Sequence, residues 1–271
     1  MIHFYRQLFI RFKRDRCTHH AAALSFSSLL ALAPLLAISF SLLSVFAPLE
    51  QMSTQLEDFI YQYLVPDAGL DIRQYLSSFI EQARKLTSIG LMAFLLTAIL
   101  LLYNIEESLN IIMKAKMSRK LARRFSIYWT LLTLGPILMG AALSVSTYAL
   151  SLSILDRMDD VVSIKLFLLK ALPVFFCFIA YSMLYIIMPN REIKWRHAFL
   201  GSFIAAILFE ITKRLFGLFI VNFNNYEVVY GALATLPIFL VWIYLSWLVT
   251  LIGAEIIAVL EDSDEKVNDH I

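Results

Sequence analysis

Charge is scarce in this chain: Asp, Glu, Lys and Arg make up 16% of its 271 residues, where a soluble domain carries about a quarter. The 60% of hydrophobic residues is a surplus that no water-soluble globule of this size hides, so a soluble enzyme and a disordered tail protein are excluded. Cysteine is nearly absent. Cys17 lies in a basic flank and Cys177 inside an apolar block, so a bridge would have to join two distant depths. Both read as unpaired small residues, and a secreted disulfide scaffold is excluded. Signatures of catalysis and metal binding are missing too. The five histidines form no HExxH helix and no Cys/His set with metal spacing, and there is neither a GxxxxGK[ST] phosphate loop nor a GxSxG elbow. No cofactor, no metal and no catalytic residue is expected. The net charge of +2 makes no case for nucleic acid, because the basic loops lack interleaved stacking aromatics and a folded module to present them.

What the chain has instead is long apolar runs. Six approach or exceed the roughly 20 residues that cross a bilayer, at 21–47, 87–105, 127–155, 166–188, 198–221 and 233–260. The reading is an all-α, multi-pass membrane protein with six transmembrane helices. Short cytoplasmic loops hold the excess of Lys and Arg, and that rule orients the spans. Arg6, Arg11, Lys13, Arg14 and Arg16 precede the first run, six basic residues from Lys114 to Arg124 follow the second, and Arg191, Lys194 and Arg196 follow the fourth. The loop 222–232 has none, which suits an outer loop and makes the fifth run a span despite its charges. Both termini are then cytoplasmic, and the first run is an uncleaved signal anchor, too long for a cleaved leader.

Three regions follow: a basic segment 1–20, a membrane domain 21–260 and an acidic tail 261–271 exposed in the cytoplasm. Within the first, Phe4, Tyr5, Leu8, Phe9 and Phe12 recur at helical spacing among cations. Two readings fit, an interfacial helix on anionic membrane lipids and an ordinary positive-inside flank. Between the first two spans, Met52 to Leu64 and Ile72 to Ala83 carry two helical stripes around the turn Pro66-Asp-Ala-Gly69. They predict an outer helical hairpin over about 50–86, whose stripes pack on the bundle, lie in the interface or receive an envelope protein partner.

Charge inside a span marks a site by default. In Leu208-Phe-Glu-Ile-Thr-Lys-Arg-Leu215 the carboxylate of Glu210 shares a helical face with Lys213 and Arg214 at i+3 and i+4. Counted from Ala198, Lys213 lies roughly 22 Å along the helix, in the outer half of a ~30 Å core. Two readings stand: a polar site on a substrate path, or a structural pair of Glu210 with Lys213 while Arg214 reaches outward to lipid phosphate or to Glu227. Glu255 near the inner end of the last span, set at much the same depth as Glu106 and Glu107, reads either as part of an acidic cluster or as a carboxylate meeting water or a basic loop. Pro34, Gly135-Pro136, Pro173 and Pro237, with Gly140, Gly201 and Gly253, mark kinks and close helix approach.

Four stretches carry a family resemblance: LSFSSLLALAPLL (24–36), YWTLLTLGPILMGAALSVS (128–146), LFEITKRLFGLFI (208–220) and YGALATLPIFLVWIYLSWLVTLIGAEI (230–256). On these the chain resembles the YihY/BrkB family of bacterial inner-membrane proteins, from about Leu24 to Leu260. The resemblance implies a six-span inner-membrane fold with cytoplasmic termini and fixes no activity. An old family label, ribonuclease BN, does not fit the residues here. Glu210, Lys213, Tyr230, Gly231, Trp242, Gly253 and Glu255 fall in the matching motifs and are carried forward with Arg214 as candidates. A transporter or lipid-handling protein is the first functional expectation, a structural or envelope-assembly component the alternative, and a membrane-bound ribonuclease the third.

Overall fold

The structure is a computed structural model that describes residues 2–43, 88–115, 120, 122–135, 137, 162–222 and 235–268. Among the described residues it is helical, without strands. The helices are α1 (Ile2–Arg14), α2 (Cys17–Leu43), α3 (Ser88–Ile112), α4 (122–135), α5 (Val162–Ile187), α6 (Trp195–Asn222) and α7 (Thr235–Asn268). Each of the six apolar runs is helical almost throughout where it is described. Among the described residues Leu95–Ile112 and Pro237–Asp264 are the stretches long and apolar enough to cross a membrane by the stricter measure of length and composition. The hairpin expected at 50–86, the motif residues Tyr230 and Gly231, and Gly140 lie outside the described residues.

Leucine, alanine and isoleucine dominate the helices, and hydroxyl residues inside them bond their own backbone. Ser25, Ser182, Ser202, Ser246 and Thr250 each donate to the carbonyl four residues back, so an apolar surrounding leaves no hydroxyl stranded. Two helices end on non-glycine residues in the left-handed region. Arg16 (φ 48°) closes α1, and Lys114 (φ 53°) closes α3. At Lys114 the pair Lys114 N–H to Ile111 and Ala115 N–H to Asn110 completes a Schellman cap, which takes up carbonyls the helix end leaves free.

α7 is the centre of the bundle, packing on α1, α2, α3 and α6, and from Gly253 to Val259 it is buried all round. Its register against α6 is exact over several turns. His197 meets Glu261, Gly201 meets Ile257, Ala205 meets Gly253 and Phe216 meets Trp242, so each step along α6 is matched by an equal step back along α7. Small residues permit this approach: Ala198, Gly201, Ser202, Ala205 and Ala206 on α6 face Gly253, Ala254 and Ala258 on α7, all buried. That pattern is the close-contact seam expected where van der Waals packing drives helix association. α5 joins from the other side through the Tyr185 hydroxyl, which donates to the Thr250 carbonyl at 2.7 Å and fills the space over Gly253. Interhelical hydrogen bonds tie α2 to the rest, from Asn104 to Ser27 at 2.9 Å and from the Trp247 indole to Ser28 at 2.8 Å.

Two differences from the sequence reading concern helix ends. α3 runs a full two turns past 105, and α7 continues through the acidic tail to Asn268. Glu261 is buried and Asp262 half-buried, so the start of that tail is part of the packed structure, because basic groups from other elements meet it there.

A Cβ at Gly253 would overlap the Tyr185 hydroxyl and press on Ala205, whereas a Cβ at Gly135 meets nothing within 4 Å. Gly253→Val should therefore destabilise by about 1–3 kcal/mol, the usual cost of overpacking, while Gly135→Ala leaves stability unchanged. Heating detergent-solubilised protein and following the monodisperse fraction by size exclusion checks this. Equal melting of the two variants would contradict the seam.

Candidate functional site

Charged side chains gather in three places. The largest group closes the inner end of the bundle. Arg11 on α1, with its side chain 8% exposed, reaches the fully buried Glu255 on α7, Nε to Oε2 at 3.2 Å. The same guanidinium donates to Asp262 at 2.6 Å, to the Ile112 carbonyl at 3.2 Å and to the Ala258 carbonyl at 3.4 Å. Cys17, the first residue of α2, donates its thiol to the other Glu255 oxygen at 3.4 Å. Lys114 at 2.5 Å and Arg191 at 3.7 Å also pair with Asp262. Next to them Glu261 accepts from the Lys194 amide at 2.8 Å and pairs with His197 at 2.7 Å. One network thus fastens α1, the start of α2, the end of α3, the α5–α6 turn and α7.

A second group links α3 to α4. Glu106, buried, accepts from the Tyr128 hydroxyl at 2.6 Å and from Arg124 Nη2 at 3.4 Å, with Arg124 Nε making an ion-pair contact at 3.0 Å. Arg124 also lies over the Tyr103 ring, 5.1 Å from its centroid. Glu107 is exposed. Of the two sequence readings the structure follows the second: Glu106 and Glu255 each have their own cation, because a buried carboxylate without one is too costly to keep charged.

The third group is the trio on α6. Glu210 pairs with Lys213 at 2.6 Å and with Arg214 at 3.2 Å, as the i+3 and i+4 spacing dictates. The two cations differ in outlook: the Lys213 side chain is 14% exposed and that of Arg214 73%. The α6–α7 register sets the trio level with the stretch from Tyr244 to Leu248, two to three turns and about 10–16 Å outward of Glu255 at 1.5 Å per residue. The first turns of α6 run beside Ile257 and Glu261.

Of the other candidates, Trp242 is a packing residue, buried between Phe216 and Phe209 with ring centroids 5.1 and 5.6 Å away. Gly253 belongs to the helix seam, and Tyr230 and Gly231 lie outside the described residues. Glu255 and the Glu210 trio are not one site. Arg11 is the site residue that sequence reasoning did not single out, since it counted only as one of the cations of the N-terminal segment. The signal was present: Phe4, Leu8 and Arg11 follow one another at helical steps, so this cation interrupts the apolar stripe itself.

Removing one partner of a buried ion pair strands the other and costs about 3–5 kcal/mol. Arg11→Met should lower the melting temperature of the purified protein sharply. Combining it with Glu255→Gln and Asp262→Asn should recover much of the loss, since no uncompensated carboxylate then remains. Additive losses in differential scanning fluorimetry would show that the network is not the clamp.

With the geometry in hand, comparison with known proteins is direct. The sequence profile of the Virulence factor BrkB family matches residues 8–270. A UPF0761 membrane protein of Aeromonas salmonicida is 37% identical over 269 residues, covering 99% of this chain and 92% of its own length. One from Vibrio cholerae is 38% identical over 263 residues, covering 97% and 88%. One from Azotobacter vinelandii is 39% identical over 260 residues, covering 96% of this chain and 64% of its own length. The chain spans less than two thirds of the Azotobacter, Alkalilimnicola and Pseudomonas relatives. No solved structure matches it. Matched over nearly all of its length by that profile and by relatives named as membrane proteins, the chain belongs to the BrkB family and is a membrane protein.

Proposed function

We propose that this is a six-span protein of the bacterial inner membrane, with both termini cytoplasmic, that transports a solute or handles lipid through a polar site built on α6. The observation that carries the proposal is the placement of Glu210, Lys213 and Arg214. Taking the level of Glu255, where α2 begins, as the inner boundary sets them about 10–16 Å into a ~30 Å core. Charges at that depth are expensive and mark substrate or ion paths. Glu210 and Lys213 are partly covered, and Arg214 opens to the surroundings. Charge paired on one side and offered on the other is what a path for a polar group along an apolar surface requires.

Exposed apolar side chains support the membrane placement. Phe26 and Leu30 on α2, Leu96 and Leu100 on α3 and Phe175 on α5 are bare on the outside of the bundle, an arrangement a soluble monomer rarely tolerates. At the inner end, Tyr5, Phe9, Trp129 and Trp195 are exposed near the basic residues, as in an interfacial aromatic belt. In this reading α1 lies on the anionic inner leaflet. Arg11 turns one face into the bundle, and the opposite face offers Arg6 and Lys13 with Tyr5, Phe9 and Ile10. Arg14, beside them, donates two hydrogen bonds to Asp15, which raise its pKa above the ordinary value.

An envelope-assembly role would rest on the outer hairpin, and a ribonuclease role on a catalytic constellation. The first lies outside the described residues, and no observation favours the second.

The test is lipid movement in liposomes reconstituted with purified protein, using fluorescent phospholipids in both leaflets. Wild type should exchange them, while folded Glu210→Gln and Lys213→Met variants should slow exchange at least tenfold, a barrier change of about 1.4 kcal/mol. Exchange by wild type and both variants at one rate would remove the trio from the path, and no exchange by wild type would remove lipid from the proposal.

A further inference from the structure

α6 carries one outward stripe along most of its length, formed by Leu200, Phe203, Ile207, Ile211 and Leu218, all exposed. At 100° per residue these positions fall within one narrow face of the helix. Arg214 falls within the same face, its side chain 73% exposed. A guanidinium in the middle of an apolar stripe is the anomaly of this molecule. Its Nε is engaged by Glu210 at 3.2 Å, yet Glu210 is also paired with Lys213 at 2.6 Å, so among the described residues Arg214 shares its one carboxylate with a second cation. Glu210 thus steadies the base of Arg214 and does not neutralise it. The planar fork that remains matches the oxygens of a phosphate.

From this we infer that Arg214 is a docking point for the phosphate of a phospholipid, whose acyl chains lie along the Leu200–Leu218 stripe. The inference rests on the lipid branch of the proposed function and names its ligand class. A free inorganic phosphate does not suit the place, because an unattached dianion gains nothing from the surrounding leucine and isoleucine side chains and loses its hydration there. A lipid brings its own apolar part to that surface and only its phosphate to Arg214. Lysine would keep the charge and lose the fork.

The experiment is photo-crosslinking of the intact protein in lipid nanodiscs. Two probes carry the same diazirine at the glycerol, one phosphatidylglycerol and one diacylglycerol, and labelled peptides are mapped by mass spectrometry. Phosphatidylglycerol should label α6 between Ile207 and Leu218 about tenfold more than diacylglycerol does, a ratio of one decade in affinity. Arg214→Gln should erase that preference and Arg214→Lys should retain part of it, with both variants checked for wild-type elution and melting. Equal labelling by the two probes, or a preference untouched in Arg214→Gln, overturns the inference. So does efficient disulfide dimerisation of an Ile211→Cys variant, which would mean that a second copy covers the stripe. The labelling requires no transport. If lipid exchange in liposomes is absent and labelling still depends on Arg214, the site stands and the transport reading falls. If exchange is present and labelling ignores Arg214, the reverse holds.

Discussion

Arg11 meets Glu255 and Asp262 at the point where helices of this bundle come to an end, and the architecture depends on that contact. α7 is too apolar and too crowded around Glu255 to hold a bare carboxylate, and neither neighbour on the same helix offers a cation. The counter-charge comes from a segment almost the whole chain away in sequence, on α1, which folds under the bundle to deliver it. Arg11 also takes up the carbonyls of Ile112 and Ala258, so one side chain satisfies the end of α3 and the side of α7. A lysine would supply the charge without the fork that reaches several acceptors at once. Buried ion pairs of this kind often add little net stability and a good deal of specificity. Here the specificity concerns register, since α1, α2 and α3 can each dock in one position only if Arg11 and Cys17 are to reach Glu255 and the Ile112 carbonyl is to reach Arg11.

The α6–α7 seam transmits that register outward. Glycine and alanine let the two helices approach closely, and a close approach with interlocked side chains allows no sliding. Fixing His197 against Glu261 at the inner end therefore fixes Phe216 against Trp242 several turns away. The trio is held in the same way. Among the described residues Glu210 pairs only within its own helix, but its height and direction follow from a rigid helix pair anchored below it. A variant in the inner clamp would disturb the trio only by loosening the whole pair, which separates structural from functional effects of substitution at the two places.

Much of this was legible in the sequence, for a physical reason. Helical segments in an apolar medium must satisfy their backbone internally, so the apolar runs convert directly into helices, and α2, α5 and α6 fall close to where hydropathy puts them. The trio was legible because its partners are local, at i+3 and i+4. The inner network and the Glu106 group were not, because their pairs join residues apart in the chain: Arg11 with Glu255, Lys114 with Asp262, and, in the second group, Glu106 with Arg124. Charge counting assigns such cations to topology, and in doing so it hid the one that is buried. The clue lay in two exceptions taken together, a lone cation inside the apolar stripe of α1 and a lone anion inside the apolar run of α7. Either exception alone has a bland explanation, whereas as a pair they neutralise each other. The extension of α7 through the acidic tail was missed for the same reason, since Glu261 and Asp262 are held by His197, Lys194 and Lys114 from other elements.

The charge balance of the trio is what separates it from the other two groups. At the inner end Glu255, Glu261, Asp262 and Asp264 meet Arg11, Lys114, Arg191, Lys194 and His197. At Glu106 one carboxylate meets one arginine. In both groups each carboxylate has a basic partner, as a structural network should. On α6 one carboxylate serves two cations. A pair of Glu210 with Lys213 would suffice for structure, and in the six-span reading proposed above a further arginine on α6 costs roughly 2.5–3.5 kcal/mol on insertion scales. On an exposed apolar face that guanidinium stays open to its surroundings. An anion with a greasy body that follows the stripe is the chemistry for which the proposed site has a use.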